Sequence, residues 1–341
     1  MERTHLAFVF AVALAVAGFC KEPTPWTHLD FQQDEGDFQF AIIPDRAGGD
    51  FNGAFTNALE KVNLFHPAFV MSVGDLISHC RSDDKSVRAR HAELTNMVRR
   101  VEAPFFHVIG NHDITLNGLG TEYTNEHSTE LWKEFFGPQT YYSFVYKDCL
   151  FVCLNSMDRT EPRKTGLSPK QFAWFRKTLD EHKDVRWTFV FMHMPSHWYG
   201  ADWMDFEKEV LTKRPYTVFA GDWHAYLHCR RYGRDYYILS VAGGCSDHRY
   251  MSEGKVSGDL MGTDWGEMNH ITLVSMTKTG PRVVNVTLDG ILPGDYLDQT
   301  NSKRWWDASD LNIPRRPEAE ARLQANRQHL KDRAERQKQR K

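Results

Sequence analysis

Acidic, amide and imidazole side chains recur in five short clusters, each of which directly follows a run of apolar residues. The clusters are Asp45-Arg46-Ala47-Gly48-Gly49, Gly74-Asp75-Leu76-Ile77, Gly110-Asn111-His112-Asp113, His193-Met194-Pro195 and Gly221-Asp222-Trp223-His224. Each apolar run has the length of a buried strand, and the carboxyl ends of the strands of an open α/β sheet line one crevice. Side chains that are far apart in the chain are therefore expected to meet around one ligand.

The types of these side chains predict that the ligand is a metal. Carboxylate, amide oxygen and imidazole, without cysteine, suit Mn²⁺, Fe or Zn²⁺ better than a soft metal. Carboxylates brought together repel one another unless cations neutralise them, and two ions that share one bridging Asp would do so. A single cluster has an ordinary alternative, since an Asp after a strand commonly caps a helix or forms a turn. Five clusters in this order favour the metal site.

Strands and helices are predicted to alternate through the first two-thirds of the chain. Strand-length apolar runs occur at 38–43, 68–73, 105–109, 149–154, 188–192 and 216–220, and helical periodicity occurs at 55–65, 87–101, 129–136 and 168–182. The last helix has Ser168 as its N-cap and Pro169 at its first position. Beyond Gly221, strands at 236–241, 271–276 and 283–288 follow one another, with a long loop at 243–267. This order predicts a sheet sandwich flanked by helices.

Composition restricts the class of protein. Of the 341 residues, 41% are hydrophobic and 26% are charged, which excludes low-complexity, collagen-like and multi-span membrane proteins. The residues from Arg315 onward carry ten basic and four acidic side chains, so this tail has a net charge of +6 and the remainder −9. An acidic body argues against nucleic-acid binding, so no sequence-specific nucleic-acid partner is expected. The tail is predicted to be a solvated helix or disordered, and its partner is unknown.

The N-terminus predicts export. The apolar run from Leu6 to Ala17 is long enough for a signal peptide but too short to span a bilayer, so the mature protein is expected to have no transmembrane span. The predicted organisation is a signal peptide at 1–17, a lead-in at 18–37, one large domain at 38–313 and the basic tail at 314–341. The mature protein would be periplasmic or secreted. A lipoprotein attached through Cys20, or an uncleaved anchor, remains an alternative.

In order and identity, the five clusters resemble the motifs of the calcineurin-like metallophosphoesterase superfamily, which includes purple acid phosphatases and related phosphodiesterases. Gly110-Asn111-His112-Asp113 is a highly specific signal, and the resemblance covers roughly residues 38–288. It implies an α/β fold, a four-layer α/β/β/α sandwich of two mixed β-sheets flanked by helices, with two metal ions at the strand ends. It also implies hydrolysis of a phosphate mono- or diester by metal-activated water.

The resemblance further implies a role for each matching residue. The implied ligands are Asp45 and His224 for the first metal, Asn111 and His193 for the second, and Asp75 as the bridge between both. His112 would face the substrate and either stabilise the developing charge or protonate the leaving oxygen. The cofactors would be two divalent or trivalent ions of Mn, Fe or Zn.

The chain departs from the family pattern at two motifs. Ala47 stands where the first motif usually has a histidine, and Ser78 replaces the tyrosine that purple acid phosphatases use as an iron ligand. Asp222 stands where the last motif usually has its first histidine. Because Asp is a competent oxygen ligand, the hypothesis is that Asp222 joins Asp75, Asn111 and His193 at the second metal.

These departures leave two alternatives for the function of the chain, and Arg46 separately has two possible roles. The chain is either an active phosphoesterase or a degenerate family member that binds a phosphate ligand or a single metal without significant turnover. Arg46, next to Asp45, is a candidate for bidentate phosphate binding. It is equally a candidate for an ion pair with a nearby carboxylate.

Overall fold

The computed structural model describes the chain between Glu35 and Leu292 with several gaps. The described residues are 35–47, 53–77, 83–115, 124–159, 161, 164–196, 200–244, 264–266, 269–288 and 290–292. The predicted signal peptide, the basic tail and most of the lead-in lie outside them, so the predicted domain boundaries stay a prediction. No helix in the described ranges is long and apolar enough to cross a membrane.

Strands and helices alternate in the described residues much as the apolar runs predict. The strands are β1 Phe38–Ile43, β2 Val70–Ser72, β3 Phe105–Phe106, β4 Tyr142–Tyr146, β5 Cys149–Cys153, β6 Trp187–Phe191, β7 Tyr216–Ala220, β8 Tyr226–Arg231, β9 Arg234–Ile238, β10 Asp264–Gly266, β11 His270–Thr277, β12 Gly280–Thr287 and β13 Gly290–Leu292. The α-helices are α1 Ala54–Leu64, α2 Asp84–Val98, α3 Asn125–Phe136, α4 Pro169–Glu181 and α5 Ala201–Glu209.

The strands form two mixed sheets. The first sheet has the order β13-β12-β11-β1-β2-β3, and the second has the order β10-β8-β9-β7-β6-β5-β4. In the first sheet β1, β2 and β3 are parallel, and in the second β5, β6, β7 and β9 are parallel. Parallel neighbours present their carboxyl ends at one edge, which is the arrangement that the clusters of polar residues require.

Each buried strand supplies apolar side chains to two layers, because side chains alternate between the faces of a strand. In β1, Phe40 and Ile42 belong to the core between the sheets, whereas Ala41 and Ile43 pack with α1 and α2 on the outer face of the first sheet. On the second sheet, outward-facing residues of β5, β6 and β7 pack with α4 and α5. The predicted α/β/β/α sandwich is therefore confirmed.

Phenylalanine rings fill the core between the two sheets. Phe40 stacks on Phe69 with ring centroids 5.3 Å apart, and meets Phe151 edge-on at 5.3 Å. Phe151 in turn stacks on Phe189 at 5.1 Å. Such pairs contribute about 0.5–1.5 kcal/mol each beyond the burial of their area. The rings join strands of both sheets, so they fix the strand ends of one sheet against those of the other.

The element boundaries differ from the predicted ones for identifiable reasons. β1 and β7 have the predicted bounds, and α4 starts at Pro169 with the Ser168 hydroxyl accepting the Gln171 N–H at 3.2 Å. β2 and β3 are shorter than predicted. β3 ends early because beyond it Val108 N–H donates to the Ser72 hydroxyl instead of a strand carbonyl.

Five elements were not predicted, namely β4, β8, β10, β13 and α5, and one predicted loop is partly wrong. β8 and α5 mix apolar with charged side chains, and the short strand β4 is interrupted by Ser143 and is only half-buried, so none of them has the continuous apolar run of a buried strand. The segment predicted as a loop at 243–267 contains β10, which pairs antiparallel with β8.

Candidate metal centre

The predicted ligands follow the carboxyl ends of five strands. β1 leads to Asp45, β2 to Asp75, β3 to Asn111, β6 to His193 and β7 to Asp222. The two sheets meet directly at this edge, because Asp222 N–H donates to Asp45 Oδ2 at 2.8 Å. The prediction that these strand ends converge is confirmed.

His193 lies at the centre of the residues predicted for the second metal. Its side chain is fully buried, and Nδ1 donates to the Val73 carbonyl oxygen at 2.8 Å, so Nε2 is left to face the site. Around Nε2 lie Asn111 Oδ1 at 2.8 Å, Asp75 Oδ1 at 3.3 Å and Asp222 Oδ1 at 3.7 Å. Three side chains of the predicted second-metal set therefore surround a nitrogen atom of the fourth, His193.

Asp45 and His224 form the neighbouring half of the site. His224 Nε2 lies 3.5 Å from Asp45 Oδ2. The other oxygen, Asp45 Oδ1, is buried and has no hydrogen-bond partner within the described part of the chain. Asp45, Asp75 and His193 each offer one ligand atom, and these three atoms lie within 4.8 Å of one another.

The charges at the site require a positive charge among the carboxylates. Burial raises the pKa of Asp45 well above its ordinary value, an effect that His193 opposes and that Asp75 and Asp222 reinforce. Burial also acts to raise the pKa of Asp75, but His193 and His112 outweigh it and lower the pKa to about 2. For His193, burial acts to lower the pKa, and the three carboxylates together raise it well above its ordinary value. The opposite shifts of Asp75 and His193 reflect their mutual attraction, and the raised pKa of Asp45 reflects a buried carboxylate close to two others.

The residues present fit metal ions. The donor atoms are carboxylate oxygen, amide oxygen and imidazole nitrogen, and the unpartnered Asp45 Oδ1 calls for a cation. Two glycines give these carboxylates room: a Cβ on Gly110 would lie 2.1 Å from Asp75 Oδ1, and one on Gly221 would lie 2.4 Å from Asp45 Oδ1. The close approach of backbone and carboxylate is thus possible only with glycine.

Backbone strain is concentrated at the same residues. Asp75, Asp222 and His224 have positive φ values of 54°, 72° and 54°. This left-handed conformation costs a residue other than glycine roughly 1–2 kcal/mol. Such strain persists where the surrounding structure over-determines it, which is typical of ligand sites.

His112 stands at the outer side of the site. Its backbone N–H donates to Asp75 Oδ1 at 2.8 Å, and its Nε2 lies 4.0 Å from Asp75 Oδ2. The side chain is 31% exposed, whereas those of Asp75 and His193 are 2% and 0% exposed. His112 is therefore within reach of a molecule that arrives from solvent.

Arg46 adopts the ion-paired alternative. Its Nη2 donates to Glu93 Oε1 on α2 at 3.1 Å, its Nη1 donates to the Leu76 carbonyl at 3.3 Å, and its guanidinium lies over the Phe55 ring at 5.5 Å. The side chain is 5% exposed. These contacts join α1, α2 and the loop after Asp75, and the phosphate-binding role of Arg46 stays a prediction.

The positions that depart from the family pattern are only partly described. Ala47 is fully buried and donates its N–H to the Asp75 carbonyl at 2.8 Å, so a methyl group occupies the place of the usual histidine. Ser78 lies outside the described residues. The first-metal half of the site therefore offers Asp45, Asp75 and His224 as side-chain ligands among the described residues.

Asp113 is a residue of the site to which the sequence assigned no role. Its buried carboxylate accepts hydrogen bonds from the backbone N–H groups of Asp75, Leu76, Ile77 and Gly110. Burial and the charge of Asp75 raise its pKa to about 7, an effect that the Gly110 and Ile77 N–H groups and His193 oppose. Its place in the Gly110-Asn111-His112-Asp113 cluster was the only signal in the sequence, and the partners of its carboxylate are a property of the folded loops.

Comparison with known proteins places this geometry in a family. A sequence model of the calcineurin-like phosphoesterases matches residues 36–240, which include Asp45, Asp75, Asn111, His193 and Asp222. No curated protein sequence matches the chain.

Three solved structures share the fold. The purple acid phosphatase PPD1 of yellow lupin, Lupinus luteus, is 13% identical with a TM-score of 0.54, and the alignment covers 77% of this chain and 54% of the lupin chain. PhoD is 12% identical with a TM-score of 0.55, covering 77% of this chain and 70% of PhoD. GAP50, the anchor in the inner membrane complex of Plasmodium, is 14% identical with a TM-score of 0.52, covering 80% of this chain and 94% of GAP50.

At these identities the three structures establish the shared fold, and the chain spans about half of the lupin enzyme. The family match extends over more than half of the chain and contains the convergent acidic and imidazole side chains. The chain belongs to the calcineurin-like phosphoesterase family, whose members are metal-dependent hydrolases of phosphate esters.

Proposed function

We propose that this protein is an exported phosphoesterase that hydrolyses a phosphate mono- or diester at a dinuclear metal site. The observation that carries the proposal is the convergence of Asp75, Asn111 and Asp222 on Nε2 of a fully buried His193, beside an unpartnered Asp45 oxygen. Such a concentration of buried carboxylates is unfavourable without cations.

The proposed division of the ligands between two ions is the one that the family resemblance implies, and distances within the site support it. Asp45 and His224, 3.5 Å apart, would hold the first ion, and Asn111, His193 and Asp222 would hold the second. Asp75 would serve both, because it lies 3.3 Å from His193 Nε2 and also within the group formed with Asp45. Oxygen and imidazole ligands without thiolate suit Mn, Fe or Zn.

The protein's own residues would hold the ions in place and supply the proton for the leaving group. When bound, the two ions supply Lewis acidity that lowers the pKa of water and neutralises the phosphoryl oxygens. His193 is held in one tautomer by the Val73 carbonyl, so Nε2 keeps its lone pair for the site. His112, whose ring is partly exposed, would donate a proton to the leaving alkoxide oxygen through Nε2.

The alternative function is that of a degenerate member that binds a phosphate ligand or one metal without significant turnover. The buried methyl group of Ala47 favours this alternative, because it removes one nitrogen ligand from the first-metal half. The presence of His112 at the partly exposed side of the site favours the enzyme, because a binding protein has no need of a proton donor.

The test compares wild-type protein, loaded with Mn²⁺, Zn²⁺ or Fe, with Asp75→Ala in hydrolysis of an aryl phosphate monoester and an aryl phosphate diester. Wild type should contain two ions per chain and turn over at least one ester, whereas Asp75→Ala should lose both metal and activity together. Asp205→Ala, an exposed aspartate on α5, is the matched control and should behave as wild type. A loaded wild type without turnover would establish the degenerate alternative.

Export is the second part of the proposal, and it rests on the apolar run that ends at Ala17. The mature chain should begin near Gly18 and be recovered outside the cytoplasm. Intact-mass measurement of the native protein tests this, and retention of Met1 on protein from the cytoplasmic fraction would contradict it.

A further inference from the structure

The carboxylate of Asp113 is completely occupied by backbone donors. Asp113 Oδ2 accepts from Asp75 N–H and from Gly110 N–H, both at 2.8 Å, and Oδ1 accepts from Leu76 N–H at 3.0 Å and Ile77 N–H at 3.2 Å. A carboxylate has about four lone-pair sites, so these four bonds use its capacity. Asp113 itself is 4% exposed. It therefore acts on the backbone and is not available as a further ligand.

The four donors belong to two different loops. Three successive N–H groups, at Asp75–Ile77, follow β2 and point at one anion, which is an arrangement typical of a backbone anion nest. The fourth, at Gly110, follows β3 and immediately precedes Asn111. One side chain thus ties the loop that carries the predicted bridging ligand to the loop that carries a predicted second-metal ligand.

The two loops are also strained and closely packed. Asp75 has φ 54° and Gly74 has φ 98°, so the turn before the nest is left-handed at two successive residues. A Cβ on Gly110 would lie 2.4 Å from Asp75 N, and a Cβ on Gly74 would lie 2.9 Å from Gly110 N. Four hydrogen bonds from the backbone to one carboxylate stabilise this strained turn.

We propose that Asp113 is a positioning residue that fixes the carboxylate of Asp75 and the amide of Asn111 in ligating positions before any metal arrives. This inference rests on the proposed metal site. The position of His112 depends on the same contacts, because its backbone N–H donates to Oδ1 of Asp75, whose loop Asp113 holds. Replacement of a residue that orients a metal ligand without itself touching the metal typically lowers metal affinity or activity by roughly 10–100-fold.

The first experiment replaces one oxygen by an amide nitrogen in Asp113→Asn. The new NH₂ group faces two backbone N–H donors, so two of the four hydrogen bonds are lost. The affinity for Mn²⁺, measured by competition with a chelator, should fall by roughly 10–100-fold while the far-UV circular dichroism is unchanged. Unchanged Mn²⁺ affinity in a folded Asp113→Asn protein would overturn the inference.

The matched control is Glu207→Gln. Glu207 is also a fully buried carboxylate with several donors, since it accepts from Arg231 and from the hydroxyls of Tyr216 and Tyr236 between α5 and the second sheet. Glu207→Gln should lower the melting temperature and leave the Mn²⁺ affinity at the wild-type value. An equal loss of affinity in both variants would overturn the inference, because it would show a general effect of destabilisation.

A measurement on the wild type does not depend on whether Asp113→Asn folds. In metal-free protein, amide hydrogen exchange at Asp75, Leu76, Ile77 and Gly110 should already be slow, and addition of Mn²⁺ should change it little. Fast exchange at these amides that becomes slow only with Mn²⁺ would overturn the inference about Asp113 and leave the proposed function standing. A wild-type protein that binds no metal would instead refute the proposed function, and the inference with it.

Discussion

A buried histidine away from the metal centre makes the stability of the fold dependent on pH. His91, on α2, is fully buried and stacks on the Phe135 ring of α3 with centroids 4.9 Å apart. Neither ring nitrogen has a hydrogen-bond partner in the described part of the chain. Burial lowers the pKa of His91 from 6.5 to about 4.

The direction and size of the effect on stability follow from this shift in the pKa of His91. Below pH 6.5 the unfolded chain takes up a proton at His91, whereas the folded protein does not until the pH approaches 4, so stability is lost as the pH falls through this interval. From these two values, His91 removes about 2 kcal/mol of folding free energy between pH 7 and pH 5.

The perturbation is His91→Leu, which has a similar volume and no titratable group. At pH 7 the variant should be at least as stable as wild type, because two unpaired buried nitrogens are removed and such groups cost about 1–3 kcal/mol. Between pH 7 and pH 5 the variant should lose about 2 kcal/mol less than wild type.

The assay is urea unfolding of metal-free protein at both pH values, followed by circular dichroism. The control is His66→Asn, an exposed histidine at φ 45°, a conformation that Asn adopts readily. His66→Asn should keep the pH dependence of wild type. If His91→Leu and wild type lose the same free energy between pH 7 and pH 5, the interpretation of His91 as a buried neutral imidazole is refuted.

The remaining predictions concern the site and the core. Gly110→Ala should lower Mn²⁺ affinity measured by chelator competition, because its Cβ would lie 2.1 Å from Asp75 Oδ1; Gly36→Ala, whose Cβ meets nothing closer than 3.8 Å, is the control. His112→Ala should keep its metal content and lose roughly 10²–10⁴-fold in turnover, and loss of metal with unchanged turnover per loaded molecule would contradict its role. Phe40→Ala should cost about 3–5 kcal/mol in urea unfolding, and a cost under about 1 kcal/mol would contradict the packing between the sheets.

The sequence predicts the strand ends well, because the relevant signals are local. The apolar run at 38–43 and the Ser168-Pro169 start of α4 depend on neighbouring residues, and both match the structure. The convergence of Asp45, Asp75 and His193 also follows, since parallel strands must present their carboxyl ends together.

The contacts that the sequence does not predict join residues that are distant along the chain. The partner of Arg46 is Glu93 on α2, and nothing local distinguishes that pair from a phosphate-binding arginine. The role of Asp113 depends on the approach of the loops after β2 and β3, which is a property of the sheet. β8 was not predicted because polar and charged residues follow Leu227, so the strand has no apolar run long enough to be identified.

The central claim is that two ions lie on either side of Asp75, and a crystal grown with Mn²⁺ tests it most directly. An anomalous difference map should show two peaks, one between Asp45 and His224 and one among Asn111, His193 and Asp222, both in contact with the Asp75 carboxylate. A map with no peak at Asp75, or with a single peak that Asp222 does not touch, would contradict the account.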